Sequence, residues 1–383
     1  MRKIGCYLLI ICLLLTAVPL QAKAADLAVA GKSAVLMDAA TGTVLYEHNA
    51  HEKLPPASVT KVMTMLLIME ALDQGKIGWT DMVTASETAA AKGGSQIYLK
   101  VGETMTVKDM LKSIAVSSAN DAACAMAEHI AGSETAFVAL MNEKAAALGM
   151  ADTNFVNCTG LDDDPEAAQH LTSAHDIAVM SRELLVKHPK IKEFTTIWMD
   201  TVRDGTFGLA NTNKMVRFYQ GCTGLKTGFT QKAGYCLSAS ASRENMELIA
   251  VVMGSESSQA RFSACKQMLD YGFANFALVT PSLQEEYTVP LKLGTADGVS
   301  AVPARDATLL IDKAQRGNVT IHVELEEGVT APVSQGQKIG TMTVKCGQQI
   351  LSQVNLVAAE PVQRLTWWQL FVQMLRRVAM AKC

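Results

Sequence analysis

Between Ser58 and Leu72 the chain carries Val62, Met63, Met65, Leu66, Leu67, Met69 and Leu72, a distribution that leaves no polar stripe on a helix. The spacing predicts a helix that follows the break at Pro55-Pro56 and is apolar nearly all round. Such a helix cannot rest on a surface and has to be enclosed. Enclosure requires other elements on several sides, and 383 residues provide them, enough for two or three domains of roughly 150 residues. A composition of 49% hydrophobic and 19% charged residues excludes disorder, which goes with low hydrophobicity and high net charge. The net charge of −3 gives no basic field of the kind that nucleic acid attracts. No internal repeat is present.

The elements around that helix read as α+β. Ser33 to Asn49 forms a hairpin that turns at Ala39-Ala40-Thr41-Gly42. Gly234 to Ser242 and Glu247 to Gly254 form a second hairpin across Arg243-Glu244-Asn245. Short turns make these strands antiparallel. Met110 to Ile130 and Glu134 to Leu148 read as helices, the latter stopped by Gly149. An antiparallel sheet flanked by helices is therefore expected over residues 25–280. Beyond it the texture changes. Val319 to Leu325 and Thr341 to Lys345 alternate apolar and polar residues, predicting a small all-β domain over 281–360 that serves as spacer or docking module.

Both ends have their own character. Arg2 and Lys3, the apolar stretch Ile4 to Leu20 and Ala22-Lys23-Ala24 read as a signal peptide over 1–24, which places the mature protein outside the cytoplasm. An uncleaved anchor fits less well, because the run is short for a membrane span. Cleavage removes Arg2, Lys3 and Lys23 and takes the net charge from −3 to −6. It also leaves Cys124, Cys158, Cys222, Cys236, Cys265, Cys346 and Cys383. These match no zinc ribbon or compact disulfide scaffold and read mostly as buried free thiols. Residues 361–383 form an amphipathic helix with Trp367, Trp368 and Phe371 opposite a polar arc that includes Arg376 and Arg377. Terminal, Trp-rich and basic, it suits a membrane surface better than docking on the protein body.

The chemistry begins at Ser58-Val59-Thr60-Lys61. Residues three apart share one helical face, so the lysine amine reaches the serine hydroxyl. A serine needs an adjacent base, and a lysine acts as one only where burial or a nearby cation favours its neutral form. A helix start also points backbone N–H groups toward an attacked carbonyl. The four-letter pattern alone is weak, since Ser263-Ala264-Cys265-Lys266 repeats it with no role assigned. Ser118-Ala119-Asn120 and Lys226-Thr227-Gly228 occur once each and decide the matter. His170 and His175 follow Asp162-Asp163-Asp164 without a close metal-ligand spacing, so a polar surface loop is expected there and no metal or other cofactor.

With these motifs in place the chain resembles the serine penicillin-binding protein and β-lactamase superfamily, and within it the low-molecular-mass D-alanyl-D-alanine carboxypeptidases. The stretches PPASVTKVMT, VSSANDAA, LGMADTNFVNCTGLDD and GLKTGFTQKAGYCLSASA carry the resemblance. It extends to the layout of signal, catalytic domain, β domain and terminal helix. It implies that Ser58 is the acylated nucleophile, Lys61 its base, and Ser118 a proton relay toward the leaving amine. Asn120 would hold the substrate backbone, and Lys226 would keep Lys61 neutral by repulsion. Thr227, with Gly228 beside it, and Arg261 on a distal loop would bind the terminal carboxylate. The N–H groups of Ser58 and Phe229 would form the oxyanion hole. Phe229 stands where the family often has histidine.

Singly, Lys226 and Arg261 read equally well as surface cations and Ser118 as a helix cap; together the motifs argue for a site. The implied substrate is the peptidoglycan pentapeptide stem, with β-lactams as covalent inhibitors. A DD-endopeptidase or a catalytically idle wall-binding scaffold are the alternatives. A β-lactamase is disfavoured by the lack of an E-x-x-L-N motif.

Overall fold

The computed structural model describes residues 27–380 apart from 28, 164 and 284, with the side chains of 376–380 also left out. The signal-like segment 1–24, Asp164, Lys382 and Cys383 and the side chains of Arg376 and Arg377 lie outside the described residues.

Both predicted hairpins join one antiparallel sheet. Its order is Val44–His48, Ser33–Asp38, Met246–Ser255, Gly234–Arg243, Cys222–Thr230. Glu244 and Asn245 turn the second hairpin with φ of 49° and 64°, the paired left-handed conformation that matches strand twist. Side chains alternate along the central strands. Val35, Met37, Ile249, Val251 and Met253 face the helical side, whereas Leu36, Leu248, Ala250 and Val252 face the helix Ser258–Asn275. A sheet covered on both faces explains why its central strands Ser33–Asp38 and Met246–Ser255 read as nearly continuous apolar runs.

The all-round apolar helix is enclosed as expected. Lys61–Asp73 buries everything from Lys61 to Met69, against the helices Val107–Ser117, Asn120–Ala131 and Ala174–Lys187. It starts later than predicted, because Ala57–Thr60 forms a tighter 3₁₀ turn that carries Ser58. The helix expected from Met110 to Ile130 is also two helices. Ser118 breaks it with a left-handed φ of 63°, and Asn120 N–H turns away to the Ser95 carbonyl at 2.7 Å. Glu134–Ala147 ends at Gly149, φ 73°, as predicted.

After the strand Phe276–Val279, which pairs with Leu309–Asp312, comes a second antiparallel sheet. Its order is Tyr287–Pro290, Gly298–Pro303, Gln349–Ala358, Lys338–Cys346, Val319–Leu325. It has its own core around Val289, Ile339, Met342, Val344 and Leu356. The chain then enters the helix Trp367–Met380, on which Trp367 and Trp368 are 76% and 65% exposed. Among the described residues no helix is long and apolar enough to cross a membrane.

Candidate active site

Ser58 is the one residue of its turn that is not buried; Ala57, Val59 and Thr60 are. Lys61 Nζ lies 3.0 Å from Ser58 Oγ and donates to the Thr159 carbonyl at 2.8 Å. The same stretch is tied down one turn further along, where Thr64 Oγ1 donates to the Cys158 carbonyl at 2.6 Å. Lys61 is wholly buried, and burial lowers its pKa to about 7 against the weaker opposing charges of Cys158 and Asp121. An amine in that state has a lone pair for the serine proton at neutral pH. Its remaining contact, to Thr159, keeps it aimed.

The strand Cys222–Thr230 closes the site from the sheet edge. Lys226-Thr227-Gly228 lie within this edge strand, ahead of the hairpin that begins at Gly234. Gly228 has to be glycine, since a Cβ there would stand 2.6 Å from the Pro56 carbonyl oxygen and 3.1 Å from Ser58 N. That approach brings the backbone next to Phe229 against the amide of Ser58. Alternation puts Lys226 on the face that Gly228 turns to the serine.

Lys226 is buried, donates to the Thr227 carbonyl at 2.8 Å, and is held well below the ordinary lysine range by burial, then by Lys61 and Arg261. The two ammonium groups repel each other mutually, and burial is the largest cause of the lowered pKa at both Lys61 and Lys226.

The other candidates are placed as follows. Ser118 is 3% exposed at the break between its two helices. Asn120 Nδ2 donates to the Gly93 carbonyl at 2.7 Å, and its buried Oδ1 has no partner. Thr227 Oγ1 donates to Thr212 Oγ1 at 2.6 Å. Arg261 sits in the first turn of Ser258–Asn275 rather than on a loop. Its Nη1 donates to the carbonyls of Gly228 and Cys236 at 2.8 and 3.2 Å, so it braces the strand from behind. Phe229 is 47% exposed and stacks on Tyr235 at 4.3 Å. Ser263 and Lys266 lie within the helix Ser258–Asn275, away from this cluster.

Comparison with known proteins decides the kind of site this is. Residues 20–257 match the family described as D-alanyl-D-alanine carboxypeptidase, and residues 282–364 match the C-terminal domain of penicillin-binding protein 5. The chain belongs to the D-alanyl-D-alanine carboxypeptidase family. It is 43% identical over 349 residues to D-alanyl-D-alanine carboxypeptidase DacF of Bacillus subtilis, covering 89% of this chain and 88% of that one. DacC of Escherichia coli is 35% identical over 86% of this chain and 83% of its own length. Penicillin-binding protein 5 from Haemophilus influenzae superposes with a TM-score of 0.75 at 32% identity, covering 88% and 98% of the two chains. The activity is that of a serine-type DD-carboxypeptidase acting in the cell wall, and the fold and recognition expected from the motifs stand.

Two parts of this carboxypeptidase site escaped the sequence reading. Thr159 contributes a backbone carbonyl, which no side-chain motif advertises. His170 was expected on a polar surface loop and is instead 3% exposed behind the serine turn, with Nε2 2.7 Å from Thr60 Oγ1. His175 is half-buried and its ring lies 4.6 Å from that of His51. Among the described residues no group of three His, Cys, Asp or Glu could hold a metal ion.

Proposed function

We propose that Ser58 is the acylated residue and that Lys61 is its base. The amine takes the hydroxyl proton as Oγ attacks the carbonyl of the D-Ala–D-Ala bond. The N–H groups of Ser58 and Phe229 receive the oxyanion. Ser118 relays the proton held by Lys61 to the departing D-alanine amine, the C–N bond breaks, an ester remains on Ser58 and Lys61 is neutral again. Water then attacks the ester, returns a proton to Ser58 and releases the shortened stem. Asn120 positions the stem backbone, and Thr227 beside Lys226 receives the terminal carboxylate on the strand that Arg261 braces. The observation that carries this reading is the 3.0 Å contact between a half-buried serine and a buried lysine whose pKa is about 7. β-Lactams acylate the same serine; the related penicillin-binding protein D2 of Listeria monocytogenes, 30% identical, is known with ampicillin bound.

Ser58→Ala is the direct test. The full chain is expected to release free D-alanine from a pentapeptide and to gain the mass of penicillin at Ser58. The variant is expected to lose both by at least about 10³-fold. Residual penicillin adduct in Ser58→Ala would sink the assignment. Cleavage of cross-linked dimers with no D-alanine from pentapeptide would move the reading to endopeptidase.

The proposed setting is the outer face of the cytoplasmic membrane, reached by a cleaved signal over 1–24 and held by residues 361–383. The exposed Trp367, Trp368, Phe371, Met374 and Leu375 give a surface suited to the lipid headgroup boundary. A chain ending at Glu360 is expected to stop co-sedimenting with anionic lipid vesicles while keeping its penicillin labelling. Equal sedimentation of the two chains would refute the anchor.

A further inference from the structure

His170 has no part in the chemistry above, yet its hydrogen bonds are completely specified. The Val156 N–H donates to Nδ1 at 3.0 Å, with the Asn157 N–H at 3.4 Å. A backbone N–H can only donate, so Nδ1 is unprotonated and the ring proton is on Nε2. Nε2 then donates to Thr60 Oγ1 at 2.7 Å. The hydroxyl donates in turn to the Ala57 carbonyl at 2.9 Å. Burial, then the charge of Lys61, lower the imidazole pKa to about 4, so the ring is neutral wherever Lys61 can act as a base.

The carbonyl at the end of this path belongs to the residue before the nucleophile. Ala57 holds a left-handed φ of 48°, a conformation that a residue with a side chain resists. A buried hydrogen bond on its carbonyl is of comparable strength to that resistance. Released from it, the 57–58 peptide can relax and carry Ser58 Oγ out of line with Lys61.

We propose that His170, acting through Thr60 on the Ala57 carbonyl, is the positioning residue that sets where Ser58 stands relative to its base. The inference rests on the acyl-serine reading above and extends it. His170 touches no reacting atom; it acts by direction alone.

The test separates positioning from simple stabilisation. Thr60→Val removes the hydroxyl at nearly constant volume, and Thr60→Ser keeps it. With the full chain and a fluorescent penicillin, the acylation rate constant at saturation and the half-saturating concentration are measured separately, beside Tm. Thr60→Val is expected to slow acylation about ten- to a hundredfold and to leave half-saturation within about twofold, as a misplaced but intact nucleophile would. Thr60→Ser should acylate within about threefold of the parent, and His170→Ala should reproduce Thr60→Val. Normal acylation in Thr60→Val, an equal loss in Thr60→Ser, or loss of the folded state in both Thr60→Val and His170→Ala would each overturn the positioning role. A parent chain that is not labelled at Ser58 would instead refute the acyl-serine reading itself, which is a different result.

Discussion

Lys61→Met is expected to abolish acylation and at the same time raise the melting temperature. Lys61 is fully buried, and its pKa stands at about 7 against an ordinary 10.5. In the unfolded chain the amine is protonated up to about pH 10.5, whereas the folded protein resists the proton down to about pH 7. At pH 7 and below, the folded state therefore carries a penalty of roughly 4–5 kcal/mol from this one group. The sign follows from the direction of the shift. The penalty shrinks as pH rises from 7 toward 10.5, so this group makes stability rise with pH across that window.

Methionine fills similar space without a charge to desolvate but gives up the bond to the Thr159 carbonyl, so a net gain of about 2 kcal/mol is expected at pH 7. For a domain of this size that is roughly 5 °C in Tm, and the gain should vanish near about pH 9, where the penalty has fallen to the size of the lost bond's contribution, and reverse above it. Acylation should fall about 10²- to 10⁴-fold, the usual contribution of a positioned base. In the parent, acylation should drop about tenfold per pH unit below 7 as Lys61 takes up its proton. Calorimetry and penicillin labelling across pH check both halves; a variant that melts lower, or labels within tenfold of the parent, refutes the claim that this lysine is held neutral for use.

Much of this was legible in the letters because it depends on residue type at short range. A serine and lysine three apart, a helix without a polar stripe and two hairpins with turn residues between apolar runs are local patterns, and each survives in the fold. The parts that escaped are set by distant contacts. Nothing in Ser117-Ser118-Ala119 forbids a helix. The break there is imposed by the loop whose Ser95 carbonyl takes the Asn120 N–H and whose Ile97 and Leu99 N–H groups bind the Asp121 carboxylate. The edge strand Cys222–Thr230 shows no alternation, because Gly224 to Gly228 are all buried, so its period is silent. His170 looked like surface since it follows three aspartates; the chain dives inward after them. Two isolated bridges, Asn154 with Leu171 and Leu54 with Thr172, carry it there and are too small to leave a pattern.

One glycine joins these legible and illegible parts, and replacing it should separate them. Gly160 has φ +82°, and a Cβ on it would stand 1.8 Å from the Ala57 carbonyl oxygen and 2.7 Å from Thr60 Oγ1. Its own N–H is held by Asn157 Oδ1 at 2.7 Å, so it cannot easily retreat. Gly160→Ala therefore meets a left-handed backbone cost of about 1 kcal/mol and a collision with main chain worth about 1–3 kcal/mol more.

The collision matters for activity because the atoms struck belong to the turn that presents Ser58. Displacing that turn by about 1 Å should slow acylation about 10²-fold, beyond any effect of the lost stability. Gly149→Ala is the matched control. Its φ is +73°, yet an added Cβ meets nothing within 4 Å, so it carries the backbone cost alone, about 1 kcal/mol, with acylation unchanged. If the two alanine variants melt and acylate alike, the close approach of residue 160 to the serine turn is not what holds the nucleophile in place. If only Gly160→Ala loses its rate, then the loop from Asn157 to Gly160 supports both members of the pair, receiving Lys61 on the Thr159 carbonyl and backing Ser58 through Ala57.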